Sequence, residues 1–426
     1  MEPVYNLVHV VSSGEYKTPL LATQVFERAE MEATLPGPGK PLSVQVWIIL
    51  PMREAIFSKA TRSIIKNLEK RCPNVPIKLI GGIGRFKNWP RNLILNLFRK
   101  KLKERTIYHC RGESSINEII FLKKMYPQDS FILDVRGYWP LEKFVEEDVY
   151  FIKDMNAAQK ARYDEQVNRL QRSIAYADRV CTVSEPLRKY LIGHDKAKEN
   201  TVVIPCCVKE TIADTNRDKI RKELNIENKI AILYLGGTQK YQNLEEMTIP
   251  FISSAIAQTK QAVGVFITNN QGEMEALLNK LNADMNNIRL LSIPQDKVGQ
   301  YLTAMDMGIF LKVPSDLKGF YQPVKLGEYL SAGLPVILEE GTGEIATILN
   351  KYDIGFVVKL YDKNQQEDFD GEVAKTIDWY KANEKEVRAR AKQFVQEHYT
   401  WQANIQHERN MYMETLMETG KVAPAN

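Results

Sequence analysis

At 426 residues the chain is too long for one hydrophobic core, so two domains are expected. Its 58 Lys and Arg against 53 Asp and Glu leave a net charge of +5, a mildly basic balance that points weakly to an anionic partner. No apolar run reaches the length of a membrane span, and five cysteines without CxxC spacing argue against a disulfide framework or a zinc site.

The N-terminus, Met1-Glu2-Pro3-Val4-Tyr5-Asn6, lacks the basic-then-apolar build of a signal peptide, so a cytoplasmic protein is expected. An apolar run at 5–11 reads as a strand, followed by Ser12-Ser13-Gly14 and a helix from about 18. Strand, glycine, helix is how an α/β unit opens. Further strands read at 44–50, 75–80, 106–110 and 130–135, with helices over 55–70 and from about 115. A long polar helix covers about 156–177. Strands at 179–183 and 201–205 flank a short helix begun at Ser184-Glu185-Pro186, where serine caps and proline suits the first turn.

Residues 209–219 are polar and aperiodic and read as a linker. The alternation then restarts, with strands at 230–235, 263–268, 288–292, 307–311, 335–338 and 355–358. Two βα alternations in succession predict an α/β protein of two Rossmann-like domains, 1–208 and 209–400, facing each other across a cleft. Helices fill 371–398, and a last one spans 401–417.

Ligands of α/β folds sit at the carboxyl ends of strands, and three stretches there carry chemistry. Leu235-Gly236-Gly237-Thr238-Gln239-Lys240 follows the first strand of the second domain. Backbone amides of a Gly-Gly turn can approach an anion closely, and Thr238 and Lys240 add a hydroxyl and a charge. Asp134-Val135-Arg136-Gly137-Tyr138-Trp139 ends a first-domain strand, as does His109-Cys110-Arg111-Gly112. Arg136, oriented by Asp134, puts a cation at that strand end. A structural Arg–Asp pair and a core-edge histidine would read the same way.

The most informative stretch is Pro323-Val324-Lys325-Leu326-Gly327-Glu328-Tyr329-Leu330-Ser331-Ala332-Gly333-Leu334-Pro335-Val336-Ile337. Leu326, Tyr329 and Leu330 fall on one face of a helix. Gly333 is expected to end it at positive φ, with a buried strand from Pro335. Lys325 and Glu328 lie one turn apart, suited to phosphate and to sugar hydroxyls respectively.

This stretch resembles the donor-site helix of family 4 glycosyltransferases of the GT-B fold, closest to the branch that assembles bacterial polysaccharides. The 236–243 loop resembles the same branch, although Gly237 and Gln242 stand where the commoner pattern has arginine and lysine. The resemblance implies a retaining transferase that moves a sugar from a nucleotide diphosphate sugar to a glycan or lipid-linked glycan. Gly236, Gly237, Thr238, Lys240, Lys325 and Glu328 would bind the donor, with Glu328 on the ribose. The segment around Arg136 resembles a D-x-R-G-x-[WY] segment of this branch. Arg136, His109 and Asp134 would be catalytic, with Gly14 and Arg111 on the acceptor side. No metal and no cofactor is implied, and the last helix would cross back to the first domain. Phe320 stands where the family has a second glutamate, so the sugar contacts must come from elsewhere. A GT-B 2-epimerase of nucleotide sugars and a non-catalytic GT-B binding protein are the alternative readings.

Two other motifs are set aside. Gly341-Thr342-Gly343 precedes Ala346 in a dinucleotide-like pattern but lacks the later ribose acid, and reads as a loop leading into a helix. Asp368-Phe369-Asp370 sits in a polar run and reads as a helix cap, not a metal pair. Residues 85–105 hold eight Lys and Arg against one acid, Glu104, with an apolar stripe of Leu93, Ile94, Leu97, Phe98 and Leu102. Such a helix can lie on an anionic membrane surface or pack on a sheet with a solvated basic face. No aromatic-basic interleaving accompanies it, so nucleic acid is not expected as a partner.

Overall fold

The computed structural model describes residues 3–12, 21–82, 89–320, 322–359 and 366–420. They form two compact units. The first comprises the chain up to Pro140, Gln159–Lys209 and the chain from Thr400 onward; the second comprises Leu141–Ala158 and Glu210–Tyr399.

In the first unit, β1 (Tyr5–Ser12), β2 (Ser43–Pro51), β3 (Ile77–Gly82), β4 (Arg105–Arg111), β5 (Ser130–Val135), β6 (Arg179–Thr182) and β7 (Val202–Val203) form one parallel sheet. Its order is β3-β2-β1-β4-β5-β6-β7. All of β1 and β5 is buried, as parallel strands covered on both faces must be. The helix Trp401–Gly420 belongs to this unit, and Trp401, Met411, Tyr412 and Leu416 enter its core. The Trp401 indole donates to the Thr23 carbonyl at 3.1 Å.

In the second unit, β8 (Ile230–Leu235), β9 (Ala262–Ile267), β10 (Ile288–Leu291), β11 (Met307–Ile309), β12 (Val336–Glu339) and β13 (Gly355–Val358) are parallel in the order β10-β9-β8-β11-β12-β13. The chain runs outward one way from β8 and the other way from β11. The carboxyl ends of these two strands therefore bound a topological switch point, the usual crevice for a ligand.

The helix Val324–Ser331 follows β11. Leu326, Tyr329 and Leu330 are buried, each worth roughly 1.5–3 kcal/mol against exposure. Gly333 ends the helix at φ +73°, where a Cβ would press on the Arg388 carbonyl at 3.1 Å. The expected stop signal is thus the observed one.

Some boundaries differ from expectation. The single helix over 55–70 is two, Met52–Phe57 and Lys59–Arg71, because Ser58 takes an extended conformation and its hydroxyl accepts the Thr61 N–H at 3.1 Å. The 209–219 segment contains the start of the helix Arg217–Glu223, pinned by Arg217 and Arg221 on the Asp306 carboxylate at 2.7 and 2.9 Å. Among the described residues, no helix is long and apolar enough to cross a membrane.

Candidate functional site

At the end of β8, the Leu235 N–H donates to the Tyr329 hydroxyl at 2.9 Å, and the Tyr234 hydroxyl donates to the Gly237 carbonyl at 2.7 Å. Two tyrosines thus hold the Gly-Gly turn. Lys325 reaches the turn from its helix, and a Cβ on Gly236 would stand 2.5 Å from Lys325 Nζ. The same Cβ would stand 2.7 Å from the Tyr234 hydroxyl, so the bare glycine lets both side chains lie against the turn. Burial lowers the Lys325 pKa to about 8, against the pull of Glu328, which lies one turn further along. Gly236, Gly237, Lys325 and Glu328 are therefore brought together, although Lys325 and Glu328 lie about 90 residues from the turn in sequence.

Thr238 and Lys240 lie further out. The Thr238 hydroxyl bonds to the Glu273 carboxylate. Lys240 is 76% exposed and pairs with Asp148.

A cavity of about 470 Å³ opens beside this turn, walled by Lys240, Leu244, Leu277, Leu311, Lys312 and Glu339 among others. Lys312 Nζ donates to Gln242 Oε1 at 2.6 Å and lies 4.6 Å from the Tyr241 ring centroid. Burial, then repulsion from Lys325, pushes the Lys312 pKa well below the ordinary lysine value. Glu339 ends β12; burial raises its pKa to about 7, against Lys318 at 3.9 Å. The sequence reading passed over Lys312 and Glu339. The available signal was a charged residue closing each of two apolar runs, 307–311 and 335–338.

In the first unit, β4 and β5 place His109, Arg111 and Asp134 at adjoining positions, with Arg111 beside Asp134 in register. His109 Nε2 lies 3.3 Å from Asp134 Oδ2, and His109 Nδ1 is 3.0 Å from the Tyr412 hydroxyl. Asp134 also pairs with Arg28 at 3.1 Å and Arg136 at 3.5 Å. Burial pushes the Asp134 carboxyl up, but Arg136, the His109 hydrogen bond and Arg28 together hold it well below the usual carboxylate range. Burial, then Arg28, lowers the His109 pKa, so its imidazole is neutral near pH 7. Arg136 donates to Gln24 Oε1 at 2.8 Å and to the Ile204 carbonyl at 3.2 Å. His109, Asp134 and Arg136 are thus members of one inward-facing network.

Arg28 and Glu408 join that network and were not legible as partners, lying 380 residues apart. His109, Asp134 and Cys181 converge within 4.8 Å, a grouping with metal-ligand potential. Arg28 and Arg136 already stand against the same carboxylate, so the donor set suits an ion-pair network better than a cation.

Gly14 lies outside the described residues, as do Arg85 and Lys87 of the basic segment. The helix there is Trp89–Lys100. Arg99 does not belong to a solvated basic face: it is 3% exposed and bonds Asp129 at 2.5 and 2.6 Å. Arg91 pairs with Glu118. Lys100, Lys101 and Lys103 are exposed, and so are Leu93 and Leu97. Gly341-Thr342-Gly343 leads into the helix Glu344–Tyr352, as expected. Asp368 and Asp370 sit in the opening turns of Gln366–Phe394 rather than capping it, and Asp370 accepts from the Ser254 hydroxyl at 2.5 Å. Phe320 is half-buried in the turn Lys318–Phe320.

No protein-family model matches the chain, and no curated protein does. Solved structures match over nearly its whole length. HepE of Anabaena, in complex with UDP and glucose, superimposes with a TM-score of 0.65 at 12% identity, covering 96% of this chain and 99% of that one. The chain has the two-domain GT-B fold. Sucrose-phosphate synthase from Thermosynechococcus elongatus is similar with a TM-score of 0.63 at 14% identity, over 97% and 100% of the two chains. WaaG, a glycosyltransferase involved in lipopolysaccharide biosynthesis, gives 0.57 at 12% identity, over 94% of this GT-B chain and 99% of its own.

Proposed function

We infer that the chain is a glycosyltransferase that takes a sugar from a nucleotide diphosphate sugar. The observation that carries this is the meeting of Lys325 with the Gly236 turn at the switch point of the second unit, with Glu328 one turn away. HepE, whose fold this chain shares, binds UDP and glucose, and WaaG is a glycosyltransferase.

In this reading the backbone of Gly236 and Gly237 approaches the diphosphate and Lys325 neutralises it. Glu328 accepts the ribose hydroxyls in charge-assisted hydrogen bonds. Lys240 and Thr238 exchange their acidic partners, Asp148 and Glu273, for phosphate oxygens. Charge developing on the leaving diphosphate is met by these fixed groups. The second unit is the donor domain and the first the acceptor domain; the expected division into 1–208 and 209–400 differs in that Leu141–Ala158 belongs with the donor side. Acceptor-side chemistry falls to the ends of β4 and β5, with Arg136, His109 and Asp134 catalytic, Asp134 pairing with the other two, and with Arg111 and Gly14 on the acceptor side.

The family 4 resemblance makes the reaction retaining and the acceptor a glycan or lipid-linked glycan. Lys100, Lys101 and Lys103, with exposed Leu93 and Leu97, give this unit a surface suited to an anionic membrane. Turnover of UDP- and GDP-sugars, each with and without a lipid-linked sugar, tests the reading. Acceptor-dependent release of nucleoside diphosphate is the expected result. Acceptor-independent isomerisation of the donor would make it an epimerase, and binding without turnover a binding protein; either overturns the proposal.

A further inference from the structure

Glu339 is a carboxylate where β12 calls for another apolar side chain. The strand is Val336-Ile337-Leu338-Glu339, buried throughout, and Glu339 itself is 1% exposed. Its Oε1 accepts the Lys312 backbone N–H at 3.2 Å and lies 3.9 Å from Lys318 Nζ. Its Oε2 is buried and has no hydrogen-bond partner among the described residues. A buried carboxylate oxygen left unpaired is costly and calls for a partner. This carboxylate lines the cavity beside the Gly236 turn.

We propose that Glu339 is a specificity-determining residue that takes a hydroxyl of the donor's sugar ring on its unpartnered oxygen. The argument rests on the nucleotide-sugar reading above and on three features of the cavity.

The sign of the charge is the first. A carboxylate repels a diphosphate, so the phosphates belong at Lys325 and the Gly-Gly turn, and Glu339 faces an uncharged, proton-donating part of the ligand. The chemistry of its neighbours is the second. Lys312 Nζ donates to Gln242 Oε1 at 2.6 Å. Glu339 and Lys312 both line the cavity, and an acceptor beside a donor matches the paired donors and acceptors of vicinal hydroxyls. The third is the apolar wall of Leu244, Leu277 and Leu311, against which the C–H face of a sugar ring can rest. Phe320 brings no carboxylate of its own to the site, and Glu339 supplies one from a different strand end.

Calorimetry of wild type, Glu339→Gln and Glu339→Leu with UDP, GDP, UDP-glucose and GDP-mannose separates the outcomes. The nucleoside diphosphate reports the nucleotide half of the site and the integrity of the fold. The sugar nucleotide with the same base reports the sugar half. Affinity for the free diphosphate is expected to stay within twofold in both variants. Affinity for its sugar nucleotide is expected to fall about tenfold or more in Glu339→Leu, and less in Glu339→Gln, whose amide keeps the shape but reverses one hydrogen bond. Equal losses on diphosphate and sugar nucleotide would overturn the sugar assignment, as would no loss on either. If wild type binds none of the four, the nucleotide-sugar reading itself fails, and this one with it.

Discussion

Arg28 Nη2 lies 2.5 Å from Glu408 Oε1 in the interior of the first unit, joining a helix near the start of the chain to the last helix. Neither side chain reaches solvent. The same guanidinium contacts Asp134, whose other partners are His109 and Arg136. One buried arginine therefore ties the last helix to the carboxyl end of β5.

Removing one partner of such a pair strands the other. Arg28→Met leaves Glu408 short of its cation, and a cost of about 3–5 kcal/mol is expected. Glu408→Gln is expected to cost less, because the amide still accepts from Arg28. Urea unfolding with a fitted m-value measures both. Arg28→Met within 1 kcal/mol of wild type would show that the network contributes little to the stability of this unit.

Lys325 gives a pH dependence. Its ordinary pKa of 10.5 is lowered to about 8 by burial. In the ligand-free protein, the cost of charging buried Lys325 accrues as pH falls from about 10.5 to about 8 and is fully present below that, and a bound diphosphate offsets it. Affinity for UDP-glucose, whose own diphosphate does not titrate in this range, is expected to hold between pH 6 and 7 and to fall as pH rises through about 8. Titration calorimetry across that range checks it. Lys325→Arg is expected to remove the fall, since guanidinium stays charged. A fall that persists unchanged in Lys325→Arg would assign the titration to another group.

Glu328→Gln is expected to weaken UDP about ten- to a hundredfold, the loss of a charge-assisted contact worth about 1.5–3 kcal/mol. The 2′-deoxy analogue already lacks part of that contact, so the variant is expected to bind it with a smaller penalty, in a double-mutant cycle with ligand as one partner. An ordinary Lys–Glu helix pair would instead change stability by a few tenths of a kcal/mol and leave binding alone. UDP binding within twofold of wild type would remove Glu328 from the site.

The membrane surface is tested with anionic vesicles. Each basic residue near such a surface contributes about 1 kcal/mol. Lys100→Gln, Lys101→Gln and Lys103→Gln together are expected to release the protein in a salt-sensitive sedimentation assay. Arg99 is left in place because its pair with Asp129 is interior. Equal sedimentation of wild type and triple variant would reject this surface.

Much of the site was legible locally. Helix-ending glycine, apolar face and paired charges all act within one or two turns, so 323–337 could be read directly, and the observed φ of Gly333 agrees. Strands β5, β8 and β13 stand where their apolar runs placed them, because burial on both faces imposes an unbroken apolar run.

The sequence by itself determined the α/β alternation and the local signals at each strand end. Only the tertiary structure decided which of those ends share a site. Parallel sheets bring together residues separated by whole βα units, and no local period records the meeting. Lys325 beneath Gly236, Glu339 against Lys312 and Arg28 on Glu408 all arise in this way. Charge counting read Arg99 as surface, but a carboxylate 30 residues away draws it inside. A charged side chain carries no mark of its own burial: only the partner that makes burial affordable does, and that partner is supplied by the fold.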